Sequence, residues 1–313
     1  MAHKRRILVV IDPTAKAQPA LERASWLAAQ SPSLVELFIC EYSAALVAHR
    51  GADPAVLAEA RKRLLAERIT RLHALAEPLI ATGIEVAMDV RWDSPLHEGI
   101  ARKAAESRAD FVMKDTHYVS PIRRALFSNT DWNLIRSCPT PLWLAKPRAM
   151  QARPCVIAAI DPLHEHDKPA KLDHAIVAAA RTITDATGGV LHLFHGIDFA
   201  PVYAASAEAA AIPVAFPPQG LIEIIREEHE TAVLDFADAH GIATERVHIA
   251  EGFVRHSLID LTDRLQADVV VMGAISRSSL KRFIIGSTAE DLLDHVNCDL
   301  LIVKPAEQAG ETT

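Results

Sequence analysis

The chain has 313 residues, a length that favours about two domains. With 50% hydrophobic and 23% charged residues it can fill packed cores, which excludes a disordered polymer. A net charge of −7 leaves no basic footprint for DNA or RNA. The basic start MAHKRR is followed by an apolar run, 7–11, that stops at Asp12. That run is too short for a signal-peptide core or a membrane span, so a cytoplasmic protein without a membrane partner is expected.

In chain order, short β-rich runs alternate with longer segments whose apolar residues recur every three or four positions, the pattern of a parallel α/β sheet. Strands are predicted at 6–11, 34–40, 84–92, 111–114 and 142–146, with helices at 20–30, 54–80, 96–107 and 131–137. The order then starts again. Ile7-Leu-Val-Val-Ile-Asp-Pro13 recurs as Val156-Ile-Ala-Ala-Ile-Asp-Pro162, and 109–147 lies on 267–305 without a gap. Asp110 falls on Asp268, Arg124 on Arg282, Thr130 on Thr288, Leu134 on Leu292 and Lys146-Pro147 on Lys304-Pro305. Second-copy strands follow at 155–160, 190–195, 247–251, 269–272 and 300–303, with a long helix near 221–240. The fold class is therefore α/β: two tandem copies, 1–149 and 150–313, of an open five-stranded parallel sheet of Rossmann-like type, joined through the polar stretch 148–153.

Ligands of such sheets bind beyond the carboxyl ends of the strands, where the strand order reverses. Asp161, His195, Gly196 and Gly273 fall at ends of that kind. Gly273-Ala-Ile-Ser276, nine residues, then Gly286-Ser287-Thr288 places glycines and hydroxyls between a strand and a helix start. Glycine lets backbone approach an anion, and the unpaired N–H groups of a helix start favour negative charge. In the first copy every glycine of this pattern is gone. Asp115 stands for Gly273, Tyr118 for Ser276, Ser128 for Gly286 and Asn129 for Ser287. A carboxylate there repels a phosphate, so the first copy is expected to stay empty.

Other chemistry is sparse. Cys40, Cys138, Cys155 and Cys298 lie far apart, which suggests neither a disulfide framework nor a zinc knuckle. His164-Glu-His166, with His174 further on, invites a metal reading, but no third ligand is fixed by local spacing to the first two, so no metal is assigned. No nucleophile elbow, Walker lysine or His–Cys pair appears, and no catalytic residue is assigned.

The glycine spacing resembles the nucleotide loop of the universal stress protein family, with Ser276 in place of the second glycine. The run Phe127-Ser-Asn-Thr-Asp-Trp132 with Arg136-Ser-Cys-Pro139 behind it resembles the degenerate first half of the tandem, E-type subgroup. The resemblance implies an adenine nucleotide α-hydrolase-like fold and about one ATP or ADP per chain. That nucleotide would be held by Asp161 near the ribose, His195 and Gly196 beside the base, and Gly273, Ser276, Gly286, Ser287 and Thr288 around the phosphates. Lys281 and Arg282 could add charge. It further implies a stress sensor or regulator, at most a slow ATPase, whose apolar fifth strands pair the two copies as an intramolecular pseudo-dimer. Two alternatives stay open: a nucleotide-free interaction scaffold, or a carrier of a hydrophobic metabolite using the apolar, proline-rich stretch 199–218.

Overall fold

A computed structural model describes residues 4–47, 53–116, 130–163, 171–200, 202–203, 218–274 and 295–305. The chain divides into two compact units, one holding the residues up to Met150 together with Asp299–Lys304, the other built on the chain from Gln151.

The first unit runs β1 (Arg5–Val10), α1 (Pro19–Gln30), β2 (Ser33–Glu41), α2 (Pro54–Ala81), β3 (Glu85–Trp92), α3 (Leu96–Ser107), β4 (Phe111–Asp115), α4 (Thr130–Ser137) and β5 (Leu142–Ala145). Its strands lie in the order β3-β2-β1-β4-β5, all parallel. β1 is central, and its continuous apolar sequence follows from burial on both faces: Ile7, Leu8 and Val9 have essentially no exposed surface. The long α2 starts where the sequence dictates, because Pro54 pre-sets the first helical φ and the Asp53 carboxylate accepts the Ala55 N–H at 2.8 Å. Its buried residues, Leu72, Ala76 and Leu79, all fall in its last third.

The second unit runs β6 (Cys155–Ala159), α5 (Lys171–Thr187), β7 (Val190–Ile197), α6 (Pro218–Ala239), β8 (Val247–Glu251), α7 (Val254–Leu265) and β9 (Val269–Gly273). Its order β9-β6-β7-β8, again parallel, repeats β4-β1-β2-β3. Backbone geometry repeats as well. Both α3 and α7 have 12 residues and end on a non-glycine residue in the left-handed region, Arg108 at φ 49° and Gln266 at φ 50°. In each unit the chain leaves the central strand in one direction and returns to its other side, which makes the carboxyl ends of β1 and β4, and of β6 and β9, the switch points.

The last strand, β10 (Asp299–Val303), belongs to the second copy by sequence and to the first unit by its packing. It runs antiparallel to β5, with Leu301 opposite Trp143. The reason is a buried anchor. Asp299 Oδ2 accepts from Trp143 Nε1 at 2.9 Å and Arg23 Nε at 2.8 Å, and its Oδ1 accepts the Lys146 N–H at 2.8 Å. Among the described residues no helix is long and apolar enough to cross a membrane.

Candidate functional site

The second copy's switch point gathers two of the sequence-predicted residues. β6 and β9 pair in parallel up to Ala158 and Val271, so Asp161 and Gly273 emerge at neighbouring strand ends. The Asp161 N–H donates to Asp173 Oδ1 at 3.1 Å, which ties this turn to the start of α5. The Asp161 side chain is not satisfied in this way: its Oδ1 is buried and has no hydrogen-bond partner among the described residues. In the first copy the matching Asp12 closes on itself, its Oδ1 accepting from the Thr14 N–H at 2.7 Å and the Thr14 hydroxyl at 2.6 Å. Leu163 stands where Thr14 would be, so the second copy has no hydroxyl for that turn. A buried acceptor without a donor costs about 1–3 kcal/mol, which a ligand hydroxyl or amino group placed there would recover.

The two described glycines have packing reasons of their own. A Cβ on Gly273 would lie 2.7 Å from Leu172 Cδ2, so its absence is what lets α5 sit over the end of β9. A Cβ on Gly196 would lie 2.2 Å from Val254 Cγ1 and 2.6 Å from Cγ2, so α7 owes its close approach to β7 to that glycine. His195 is buried with both ring nitrogens engaged: Nδ1 lies 3.0 Å from the Ile160 carbonyl oxygen and Nε2 lies 2.7 Å from His229 Nδ1. A carbonyl only accepts, so Nδ1 carries the proton and Nε2 receives the hydrogen of His229. The polarity of His195 is thus committed inside the fold, and the ring offers the strand end shape more than hydrogen bonding.

Ser276, Gly286, Ser287 and Thr288, with Lys281 and Arg282, lie outside the described residues, as do His164 and His166. His174 turns to His240 at 3.0 Å, and among the described residues no group of three or more His, Cys, Asp and Glu is placed to hold a metal ion.

In the first copy the matching strand end is filled from within. Asp115 is buried and its Oδ1 accepts the Ala20 N–H at 2.6 Å, in the first turn of α1. Lys114 Nζ pairs with Asp131 Oδ1 at 2.8 Å, in the first turn of α4. The N–H of a helix start, the usual host of an anion, already has a carboxylate. Tyr118, Phe127, Ser128 and Asn129 lie outside the described residues, while Trp132 is half-buried on α4.

Sequence reasoning pointed to one wall of a further feature and missed the other. A cavity of about 590 Å³ opens at the carboxyl ends of β7 and β8, lined by Asp198, Phe199, Tyr203, Glu251, Phe253 and His256. Phe199 and Tyr203 belong to the apolar stretch singled out above. Phe253 is 83% exposed and sits in the short turn between β8 and α7, where no periodic signal marks it.

Two segments, 4–146 and 156–304, match the model of the universal stress protein family. The chain is 27% identical over 306 residues to universal stress protein E of Escherichia coli K12, covering 97% of this chain and 95% of that one. Among solved structures, a protein of unknown function from Pseudomonas aeruginosa PAO1 aligns with a TM-score of 0.72 and 26% identity, over 97% of this chain and 94% of the other. A universal stress protein from Archaeoglobus fulgidus aligns with a TM-score of 0.61 and 16% identity, over 96% and 98%, which shows the shared fold.

Proposed function

Since the chain belongs to the universal stress protein family as a tandem, E-like member, we propose that this stress-response protein binds one ATP or ADP at the β6–β9 switch point and signals through its occupancy. The observation that carries the reading is the buried Asp161 Oδ1, which has no donor among the described residues, beside a first copy whose Asp12 Oδ1 and Asp115 Oδ1 each accept from the chain itself. Ribose hydroxyls would supply the missing donors to Asp161, and Gly273 leaves backbone accessible at the next strand end. Ser276, Gly286, Ser287 and Thr288 would complete the phosphate side. The protein acts in the cytoplasm as a sensor or regulator, not as an enzyme beyond slow ATP hydrolysis. The antiparallel pairing of β5 with β10 supports an intramolecular pseudo-dimer of the two copies.

Titration calorimetry with ATP tests the reading. One site per chain is expected, weakened at least tenfold by Asp161→Asn, which keeps the size of the side chain and removes its charge. Two sites, or undiminished binding by that variant, would overturn it. The β7–β8 cavity favours a second reading, a carrier of a hydrophobic metabolite, because Phe199, Tyr203, Phe253 and Val254 give it an apolar wall. Organic extraction of the purified protein followed by mass spectrometry separates the two: a stoichiometric lipid or metabolite in place of nucleotide would favour the carrier.

A further inference from the structure

Between strand 2, strand 3 and the helix that covers them, the two copies solve the same burial problem with different chemistry. In the first copy Glu36 on β2 and Asp89 on β3 are both bridged by Lys103 of α3, at 2.5 and 2.8 Å. The strand registers place His192 of β7 at the position of Glu36 and His248 of β8 at that of Asp89. The matched ends of α3 and α7 place the buried Leu261 at the position of Lys103. The second copy has therefore exchanged two carboxylates and a lysine for two imidazoles and a leucine.

The imidazoles form a direct pair. His192 Nδ1 lies 3.0 Å from His248 Nε2, and the rings stack with centroids 5.2 Å apart and planes 29° from parallel. Such a bond needs one nitrogen to donate and the other to accept, so the pair holds only while at least one ring is neutral. The charges acting on it come from both sides and are positive: Arg246, from the turn before β8, acts on His192, and Arg264 of α7 acts on His248. From β6, Ile157 lies opposite His192 in the ladder and adds no charge.

We infer that the His192–His248 pair is an acid-responsive latch, whose double protonation frees the edge strand β8 and the start of α7 and so reshapes the mouth of the β7–β8 cavity. β8 is the last strand of its unit and is held on one side only. Two cations 3.0 Å apart, with two arginines acting on them and a leucine, Leu261, where the first copy has its lysine, repel across that single seam. Gly252, Phe253 and Val254, which connect β8 to α7, line the cavity and move with it. The inference does not depend on what the switch point binds.

Burial, followed by the opposing ring and Arg246, lowers the affinity of His192 for a proton, and burial followed by Arg264 does the same for His248. For a base held below its unfolded pKa, the folded form is fully favoured above about pH 6.5. That advantage fades as pH falls through this value toward the folded pKa. The first-copy trio behaves oppositely in this window. Burial alone would raise Asp89 and lower Lys103, but their hydrogen bonds prevail, leaving Asp89 low and Lys103 high, so neither of these two charges is lost across this window.

Hydrogen exchange of the full-length chain at pH 7.5 and pH 5.5, corrected for the intrinsic rate change, reads this directly. A ring that accepts its proton only in the opened state multiplies opening by about tenfold across that interval. About tenfold more exchange is expected in β8 and the first turns of α7, with none in β3 and α3. His248→Gln, which cannot take a proton, should abolish the effect. So should the graft of the first-copy trio, His192→Glu with His248→Asp and Leu261→Lys. Equal acid sensitivity of the two units, or a full effect surviving in His248→Gln, would overturn the latch. Ring-proton NMR of the unmodified chain decides independently of how the variants fold: one ring must titrate clearly below 6.5, and two rings titrating together near 6.5 would refute the pair.

Discussion

The ends of β4 and β9 are the same place in two copies of one fold, built from opposite pairs of residues. In the first, a large polar side chain, Asp115, meets a small helix residue, Ala20, and accepts its N–H. In the second, Gly273 has no side chain, and the larger Leu172 fills the space, leaving the strand-end backbone without a carboxylate over it. The pair of sizes has been exchanged across one contact, so the strand end is packed in both copies while only the first carries the Asp115 carboxylate there. A glycine at a candidate site thus answers to the helix packed over it, as Gly273 does to Leu172.

The copies differ most in energy at Arg23 and Asp299, an ion pair whose side chains are 5% and 2% exposed. The repeat does not supply a second such carboxylate, since Pro141 stands where Asp299 does in the gapless register of 109–147 on 267–305. Asp299→Ala would strand the Arg23 guanidinium in the interior and remove the acceptor of Trp143 Nε1 and of the Lys146 N–H. Breaking a buried pair from one side costs about 3–5 kcal/mol. Chemical denaturation should show that loss in the first unit; a loss below about 1 kcal/mol would mean that β10 is held by its apolar side chains alone.

Next in size is Gly196→Ala. The added carbon would meet Val254 at Cγ1, Cγ2 and Cβ, all within 2.8 Å, so no rotation of the valine relieves it. Overpacking of this kind costs roughly 1–3 kcal/mol. Adding Val254→Ala should restore most of the stability. If the single variant melted like the parent, the close approach of α7 to β7 would be wrong.

A smaller effect is expected from Asp115→Ala. It removes the carboxylate that accepts the Ala20 N–H, and losing such a cap costs about 1 kcal/mol. Since Asp115 gives its stabilisation as a carboxylate, that contribution is to be measured at neutral pH.

How much of this was legible beforehand follows from range along the chain. The repeat, the alternation of strands and helices and the starts of α1 and α2 rest on local periodicity and on Pro19, Asp53 and Pro54, and the structure has the first-unit elements within a residue or two of the predicted positions, while α6 starts at Pro218, three residues before the expected 221. Asp161 and Gly273 were visible because strand ends in such a sheet can be counted. The commitment of His195 to His229 was not, because their pairing depends on how α6 lies over β7, a contact between residues far apart in sequence. The same holds for the packing roles of Gly196 and Gly273, for the grip of Arg23 on Asp299, and for the exchange of Glu36, Asp89 and Lys103 for two histidines and a leucine. Each depends on register between elements, which a single sequence does not display.

The least disruptive change is also the most discriminating for the proposed nucleotide site. Gly273→Asp alone would block an anion, but its Cβ would also meet Leu172 at 2.7 Å, so lost binding and lost packing would be confounded. Combining it with Leu172→Ala copies the first copy's own solution: the helix residue becomes small, and the new carboxylate can accept the N–H at position 172 as Asp115 accepts that of Ala20. The clash is removed and a cap is gained, so stability should stay within about 1 kcal/mol of the parent. Nucleotide binding by calorimetry should nevertheless vanish, because a carboxylate facing phosphates in a narrow loop repels them and cannot be offset by water. A double variant that folds normally and still binds ATP would show that the ends of β4 and β9 do not decide which copy is filled, and would move the site away from Gly273.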